Sequence, residues 1–409
     1  MRLQHRSSLT LALLPMCCAA PVWAQTAPVL AQTDGPLVLK AETSLRFDNN
    51  LFRLPAGANT TALIGKPSAA ETINVNSLSL NFSTTLSLQK FEVAINVTDY
   101  RYQNFNYLSF VGHNYNAAWR WALTPHLHGN LVSQRQEAPN SYVDYQGYNV
   151  QNLTTNTNTR LDAVYEPGGA WGIHTGVSQS AQTNQQNVTA VSNYTDKSVD
   201  LGLGYAYASG STISYTLKNT DGTYLDRVLP SVGLYDDGFK QIDNELRLHW
   251  VITGKSTADL YTTHISRTNP HYAERDYSGL NAGANFNWNI TGKSALAASW
   301  TRELSDYQTI YSNYIQTDRI WLGPLWQLSP KTVVRLRYEV AQSDYLGSPF
   351  GPVVNQRSDT TTDASLSLIW QPYQYLTLST SLENATRRSN FAGLDYESKM
   401  ATVSAQFSY

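Results

Sequence analysis

The chain has 409 residues, with 29 Lys+Arg against 31 Asp+Glu, a net charge of −2 and only 15 % charged residues, where soluble domains carry about 25 %. Without a basic excess it lacks the electrostatic footprint of a nucleic-acid binder, and no apolar run approaches the ~18 residues of a membrane helix. Two cysteines exclude a disulfide scaffold, and 26 Tyr and 10 Trp against 3 Met is an alphabet of strands.

The first predicted element is a targeting segment. Arg2, His5 and Arg6 precede an apolar stretch, Leu9 to Pro21, and then Val22-Trp23-Ala24. This is the basic, apolar and small-residue order of a secretory signal peptide. Cleavage after Ala24 removes both Cys17 and Cys18. Leu14-Pro15-Met16-Cys17 is a poor lipidation box, because Pro and Met stand where small residues are wanted. Residues 1–24 are thus read as signal peptide, 25–36 as a short periplasmic segment and 37–409 as one β-domain.

From Leu37 onward the chain alternates with the period of two that puts successive side chains on opposite faces of a strand. Leu37, Leu39, Ala41, Leu45 and Phe47 share one face, with Lys40, Glu42, Arg46 and Asp48 on the other. Leu78, Leu80, Phe82 and Leu86 then oppose a row of Ser, Asn and Thr, and Phe91, Val93, Ile95 and Val97 follow a tight turn at Gln89-Lys90. Farther on, Ile242, Leu246, Leu248 and Trp250 oppose Asp243, Glu245, Arg247 and His249, and Ala282, Ala284, Phe286 and Trp288 oppose Asn and Gly. A thin apolar face backed by amide, hydroxyl and charge is the pattern of an antiparallel transmembrane β-barrel, with lipid outside and water inside.

The turns support this. Short ones follow aromatic strand ends, as at Trp121, Trp250, Trp288, Trp326 and Trp370, with repeat spacings of 38 residues (288 − 250, 326 − 288). An aromatic anchors at the interface and a turn former reverses the chain. The opposite connections, near 53–71, 137–156, 221–239 and 343–358, are long and polar. Eight short turns plus the first and last strands predict an all-β, up-and-down barrel of about eighteen strands. Sixteen remain possible, because 152–165 and 315–325 are weak and Pro324 speaks against a regular ladder. Ala401, Val403, Ala405, Phe407 and Tyr409 alternate to a terminal aromatic, similar to the signal read by the outer-membrane assembly machinery. The expected partners are therefore that machinery, through Tyr409, and outer-membrane lipid.

No catalytic motif emerges, and no cofactor or metal is expected. The Gly-Lys pieces at 254–255 and 292–293 lack the earlier Gly of a phosphate loop, His249 and Asn287 standing there. His126 and His128 share a face beside a turn and read as an exposed pair. Asp236-Asp237 is an acid pair, but no Asp-His partner sits at a comparable strand end; beside Gly238 it reads as turn chemistry. The lumen is the expected seat of function. Its inward candidates include Arg46, Arg101, Arg120, Arg247, Arg335, Arg337 and Glu339, with Arg335 and Arg337 the best placed for an anionic substrate. The loop aromatics Tyr142, Tyr145, Tyr272, Tyr277 and Tyr311 could stack on sugar rings or serve the outer girdle.

The first strand runs into Phe47-Asp48-Asn49-Asn50-Leu51-Phe52-Arg53-Leu54, and Trp326-Gln327-Leu328-Ser329-Pro330-Lys331 is one of the tandem turns. This layout resembles the EpsL family of outer-membrane β-barrels, encoded with exosortase-linked polysaccharide clusters, within a wider group of β-barrel porins. The resemblance implies a channel in extracellular polysaccharide biosynthesis or export, working with periplasmic or inner-membrane export components, and no catalytic residues. The alternatives are a small-solute porin and, less favoured, an outer-membrane enzyme.

Overall fold

The computed structural model describes residues 35–409 apart from 144, 145, 147, 148, 187, 188, 190, 232 and 354. The cleavage site, almost all of 25–36, and Tyr145 lie outside the described residues.

Eighteen antiparallel strands form one sheet in which each pairs with its sequence neighbours, and β1 pairs with both β2 and β18 to close the ring. The first nine are β1 (Leu37–Asp48), β2 (Glu71–Leu86), β3 (Gln89–Tyr102), β4 (Phe110–Thr124), β5 (Leu127–Pro139), β6 (Leu153–Gly168), β7 (Trp171–Asn184), β8 (Tyr194–Ala206) and β9 (Thr212–Tyr224). The rest are β10 (Gly238–Thr253), β11 (Ser256–Thr268), β12 (Tyr277–Asn289), β13 (Ser294–Asp306), β14 (Tyr314–Ser329), β15 (Thr332–Leu346), β16 (Ser358–Tyr373), β17 (Leu376–Ser389) and β18 (Tyr396–Ser408). At ~4.8 Å between strands and a tilt of ~40°, a ring of this size is on the order of 35 Å across its backbone.

Eight short turns lie at one end. Nine longer loops lie at the other: L1 (49–70), L2 (103–109), L3 (140–152), L4 (185–193), L5 (225–237), L6 (269–276), L7 (307–313), L8 (347–357) and L9 (390–395). The strand count and the sorting of turns match the expectation from sequence. The outward rows are apolar and exposed, including Leu39, Leu80, Ile95, Leu203, Leu246, Leu366 and Val403. Exposed Trp250, Trp288, Trp326 and Trp370 form part of the girdle at the short-turn end. A closed ladder is what lets such a sheet sit in lipid, because no edge leaves backbone polar groups unpaired.

Three local expectations are corrected. The first turn is Ser87-Leu88, since Leu86 pairs with Gln89 and Thr85 with Lys90. The weak segments 152–165 and 315–325 are full strands. Pro324 stays in register with Leu296 of β13, while the register to β15 pauses between Leu322↔Tyr338 and Leu325↔Arg335, where the missing N–H falls. Arg101 shares the parity of Val97 and so lies on the outer side, bonded to Asp99. Above the lipid band both faces of a strand meet water, so the alternation there loses its contrast.

The barrel contains an internal repeat. Asn106–Leu108 of L2 and Ala273–Arg275 of L6 are single 3₁₀ turns, each introduced by an aromatic, Phe105 or Tyr272. Beyond them come Gly112-His113-Asn114 and Gly279-Leu280-Asn281, then Trp121 and Trp288, at a constant offset of 167 residues (281 − 114, 288 − 121). The β4–β5 ladder starts at Tyr115↔Arg135 and the β12–β13 ladder at the equivalent Ala282↔Arg302. Just above each start, the Asn side-chain oxygen accepts the facing strand's backbone N–H, Glu137 N–H at Asn114 and Leu304 N–H at Asn281, both at 2.7 Å.

Candidate functional site

The lumen wall is built from the inward residues of each strand, and many of its charges lie flat against it. Arg160 of β6 reaches across β7 to Asp200 of β8 at 2.5 and 2.9 Å. The crossing needs Gly176, where a Cβ would sit 2.3 Å from the guanidinium. His174 likewise crosses over Gly202 to Thr216 at 2.8 Å. Side chains pinned in this way are held along the wall by their hydrogen bonds.

The predicted lumen residues separate into tied and untied groups. Arg120 is held by Glu92 at 2.6 Å and Asn130 at 3.2 Å. Arg247 bonds Glu245 at 3.1 Å and lies over Tyr261. Arg337 and Glu339 form an ion pair at 2.5 Å, which Arg319 joins at 3.2 Å while Trp321 covers the Arg337 guanidinium at 4.4 Å. Arg46 shares the β1–β3 wall with Glu42, Tyr100 and Tyr102. Arg335, two residues below Arg337 on the same face, has a buried Nε with no hydrogen-bond partner. Of the two adjacent arginines picked from the sequence, Arg337 is paired and covered, whereas the buried Nε of Arg335 has no hydrogen-bond partner.

The loop end is narrowed by folded loops. L1 carries a short helix, α1 (Thr60–Ile64), capped by the Asn59 side chain on Ala62 N–H. Leu51, Phe52, Leu54, Ile64, Phe105 and Leu108 bury together against Ile73 at the head of β2, with Tyr100, Tyr102 and Tyr142 alongside. Phe52 and Phe105 are fully buried and meet edge to face at 4.8 Å. L3 crosses toward L9, Gln146 donating to the carbonyls of Arg53 and of Leu394.

The root of L1 is the segment 48–54. Asp48 accepts from Asn50 N–H at 2.8 Å, Ser398 Oγ at 2.9 Å and Arg53 at 2.8 Å, and Asn50 Nδ2 donates to the carbonyls of Leu54 and Glu397. Arg53 takes a left-handed φ of 55° and lies over Tyr396. The segment that carried the family resemblance therefore fastens L1 across the β1–β18 seam.

Two buried carboxylates latch the loop pairs. Glu71, the first residue of β2 where L1 ends, accepts the N–H groups of Asn104 and Phe105 at 2.9 and 2.7 Å, joining the foot of L1 to L2. On the opposite side of the mouth Asp236 accepts those of His271 and Tyr272 at 2.6 and 3.1 Å, joining L5 to L6. His271 and Tyr272 are the repeat equivalents of Asn104 and Phe105. Arg275, fully buried, ties L5 to L7 through the carbonyls of Leu234, Thr309 and Ser312.

The acid pair predicted to be turn chemistry thus does acquire a histidine, contributed by a loop 35 residues away. His271 Nδ1 is 2.9 Å from Asp236 and 3.4 Å from Asp237. Burial works against the Asp236 carboxylate, but hydrogen bonds from the His271 side chain and the two backbone N–H groups outweigh it and hold the carboxyl below its ordinary range. The bond to Asp236 raises His271. Residue spacing alone could not find this cluster, since it depends on how L5 and L6 dock. His128 lies 3.8 Å from Glu166.

Of the loop aromatics, Tyr142 packs on Phe52 at 4.7 Å, and burial raises its hydroxyl pKa. The Tyr272 hydroxyl accepts Ser231 N–H, and Tyr277 opens β12, buried and stacked on Tyr314, rather than lying in a loop. Tyr311 is exposed. Three of these four are structural within the mouth.

The closed eighteen-strand ring, its apolar outer band and its aromatic end rows settle the architecture. The fold is that of an outer-membrane β-barrel. No protein-family model matches the sequence, and no curated protein matches it either. Solved structures do. The outer-membrane protein OpdK of Pseudomonas aeruginosa aligns over 91 % of this chain and 99 % of its own, with a TM-score of 0.52 at 11 % identity. OccK2 (OpdF) of the same organism aligns over 92 % and 99 %, with a TM-score of 0.53 at 10 % identity, and OpdQ over 92 % and 100 %, at 0.50 and 12 %. The match in architecture at such low identity is a likeness of fold.

Proposed function

We propose that the protein is a diffusion channel for small polar solutes across the outer membrane. The observation that carries this reading is the mouth. The L1–L2–L3 core, with Phe52 and Phe105 fully buried, sits in the ring's opening, and a polymer could pass that side only by dismantling it. Below it the wall is polar and carries both signs of charge, and Arg335 offers an uncommitted cation. Among the similar structures, OpdK was solved with vanillate and OccK2 (OpdF) in complex with glucuronate, both small carboxylates. Passive conduction needs no more than this: polar walls that replace solute hydration without holding it tightly.

Polysaccharide export is the second reading and rests on the 48–54 segment. The hydrogen bonds of those residues give them a role in seating L1, which is independent of any cargo. The two readings separate in one pair of experiments. Proteoliposomes carrying the purified chain should swell in monosaccharides and small carboxylates, at rates falling steeply with solute size. A clean deletion strain should secrete normal amounts of extracellular polysaccharide. Loss of secretion, restored by complementation, together with no size-limited swelling, would replace the first reading by the second.

A further inference from the structure

The internal repeat supplies a comparison within one molecule. Glu71 and Asp236 perform the same task, catching three and two successive backbone N–H groups of the next loop respectively. At the L1–L2 latch a single carboxylate suffices. Its chain neighbours are Ala70 and Thr72, and the counterpart of His271 is Asn104, whose side chain turns away to the Ala70 carbonyl at 3.1 Å. At the L5–L6 latch the same joint carries two extra groups, the His271 imidazole and the Asp237 carboxylate, which latching does not require.

We propose that Asp236, Asp237 and His271 form a binding site for a first-row divalent metal ion of the zinc type, which clamps L5 to L6 at the channel mouth. The three donor atoms lie within 4.8 Å of one another. His271 Nδ1 is 2.9 and 3.4 Å from the two carboxylate oxygens, close to the ~3.0–3.5 Å between ligands that share a metal at ~2.0–2.2 Å. One imidazole and two carboxylates form a mixed N/O donor set suited to such an ion. An ion seated there replaces the proton that the imidazole otherwise shares with Asp236.

The donors are also pre-positioned from outside the cluster. The Asp237 carbonyl accepts Tyr224 N–H at 2.8 Å, the Asp236 carbonyl accepts from Arg227 at 3.1 Å, and the second Asp236 oxygen holds the His271 backbone. Little chain entropy is lost on binding, and the half-exposed His271 and Asp237 side chains (53 % and 46 %) leave an approach from the medium.

The test uses the full chain without a histidine tag, stripped with chelator in detergent, titrated with Zn²⁺ by calorimetry and with Co²⁺ by visible absorption. One equivalent should bind, and Co²⁺ should give the bands of an imidazole–carboxylate site. His271→Gln and Asp237→Asn should each weaken binding at least about 10-fold, whereas Glu274→Gln on the same loop should not. Because both substituted side chains are half-exposed and the Asp236 latch is left intact, the barrel should retain heat-modifiable mobility on gels. Absence of saturable binding by the wild-type chain, or titration of His271→Gln indistinguishable from wild type, would overturn the proposal.

Discussion

Arg335 and Arg337 differ by one turn of the pleat, yet their side chains have different jobs. Arg337 is bound to Glu339 and covered by Trp321, so replacing it leaves a lumen acid less compensated. Arg335 has no such obligation at its buried Nε. Arg335→Gln should leave the unfolding temperature unchanged while shifting the cation-to-anion permeability ratio toward cations by up to roughly sevenfold, since one unit charge ~7 Å away in water changes the cation and the anion each by roughly two- to threefold in opposite directions. Bilayer reversal potentials in a salt gradient check this, and an unchanged ratio would remove Arg335 from the solute path. Gly176 makes the complementary point. Gly176→Val puts carbon where the Arg160 guanidinium lies, so the Arg160–Asp200 pair should break and the arginine swing into the lumen, lowering single-channel conductance.

At the level of elements, strands were easier to read from the sequence than the mouth. The range Leu37–Asp48 coincides with the expected first strand because Leu39, Leu45 and Phe47 meet lipid while Lys40 and Arg46 do not, a contrast visible residue by residue. L1 has no such contrast. Phe52, Leu54 and Ile64 look like any loop apolars until Glu71 and Asp48 fix where they dock, and those carboxylates act on groups far away in the chain. Apart from Arg101, the candidate lumen cations were legible by parity; which of them are paired was not, since that depends on partners such as Trp321 and Glu92 on neighbouring strands. Asp48→Asn should strip L1 of its charged anchor, costing about 1–3 kcal/mol of docking free energy, and should raise both conductance and the solute size limit. Unchanged conductance would mean that L1 does not limit passage.

For the whole molecule, the assignment of inside and outside is the claim on which the rest depends. Leu80 and Phe286 lie on outward rows of β2 and β12. Leu80→Lys or Phe286→Lys should therefore cost ~2–4 kcal/mol near mid-bilayer and reduce the heat-modifiable barrel recovered from outer membranes, whereas Ser79→Lys, facing the lumen, should assemble normally. Equal recovery of all three would reverse the faces. The fastening of L1 has a consequence for the order of events during biogenesis. Ser398, Glu397 and Tyr396, which receive the 48–54 segment, belong to the last strand to be made, whereas the segment itself follows the first. L1 has no complete receptor until the two ends of the chain meet, so its fastening is completed only at closure. A protease site in L1 should accordingly be cut while the barrel is still open and become resistant at the moment the ring is sealed.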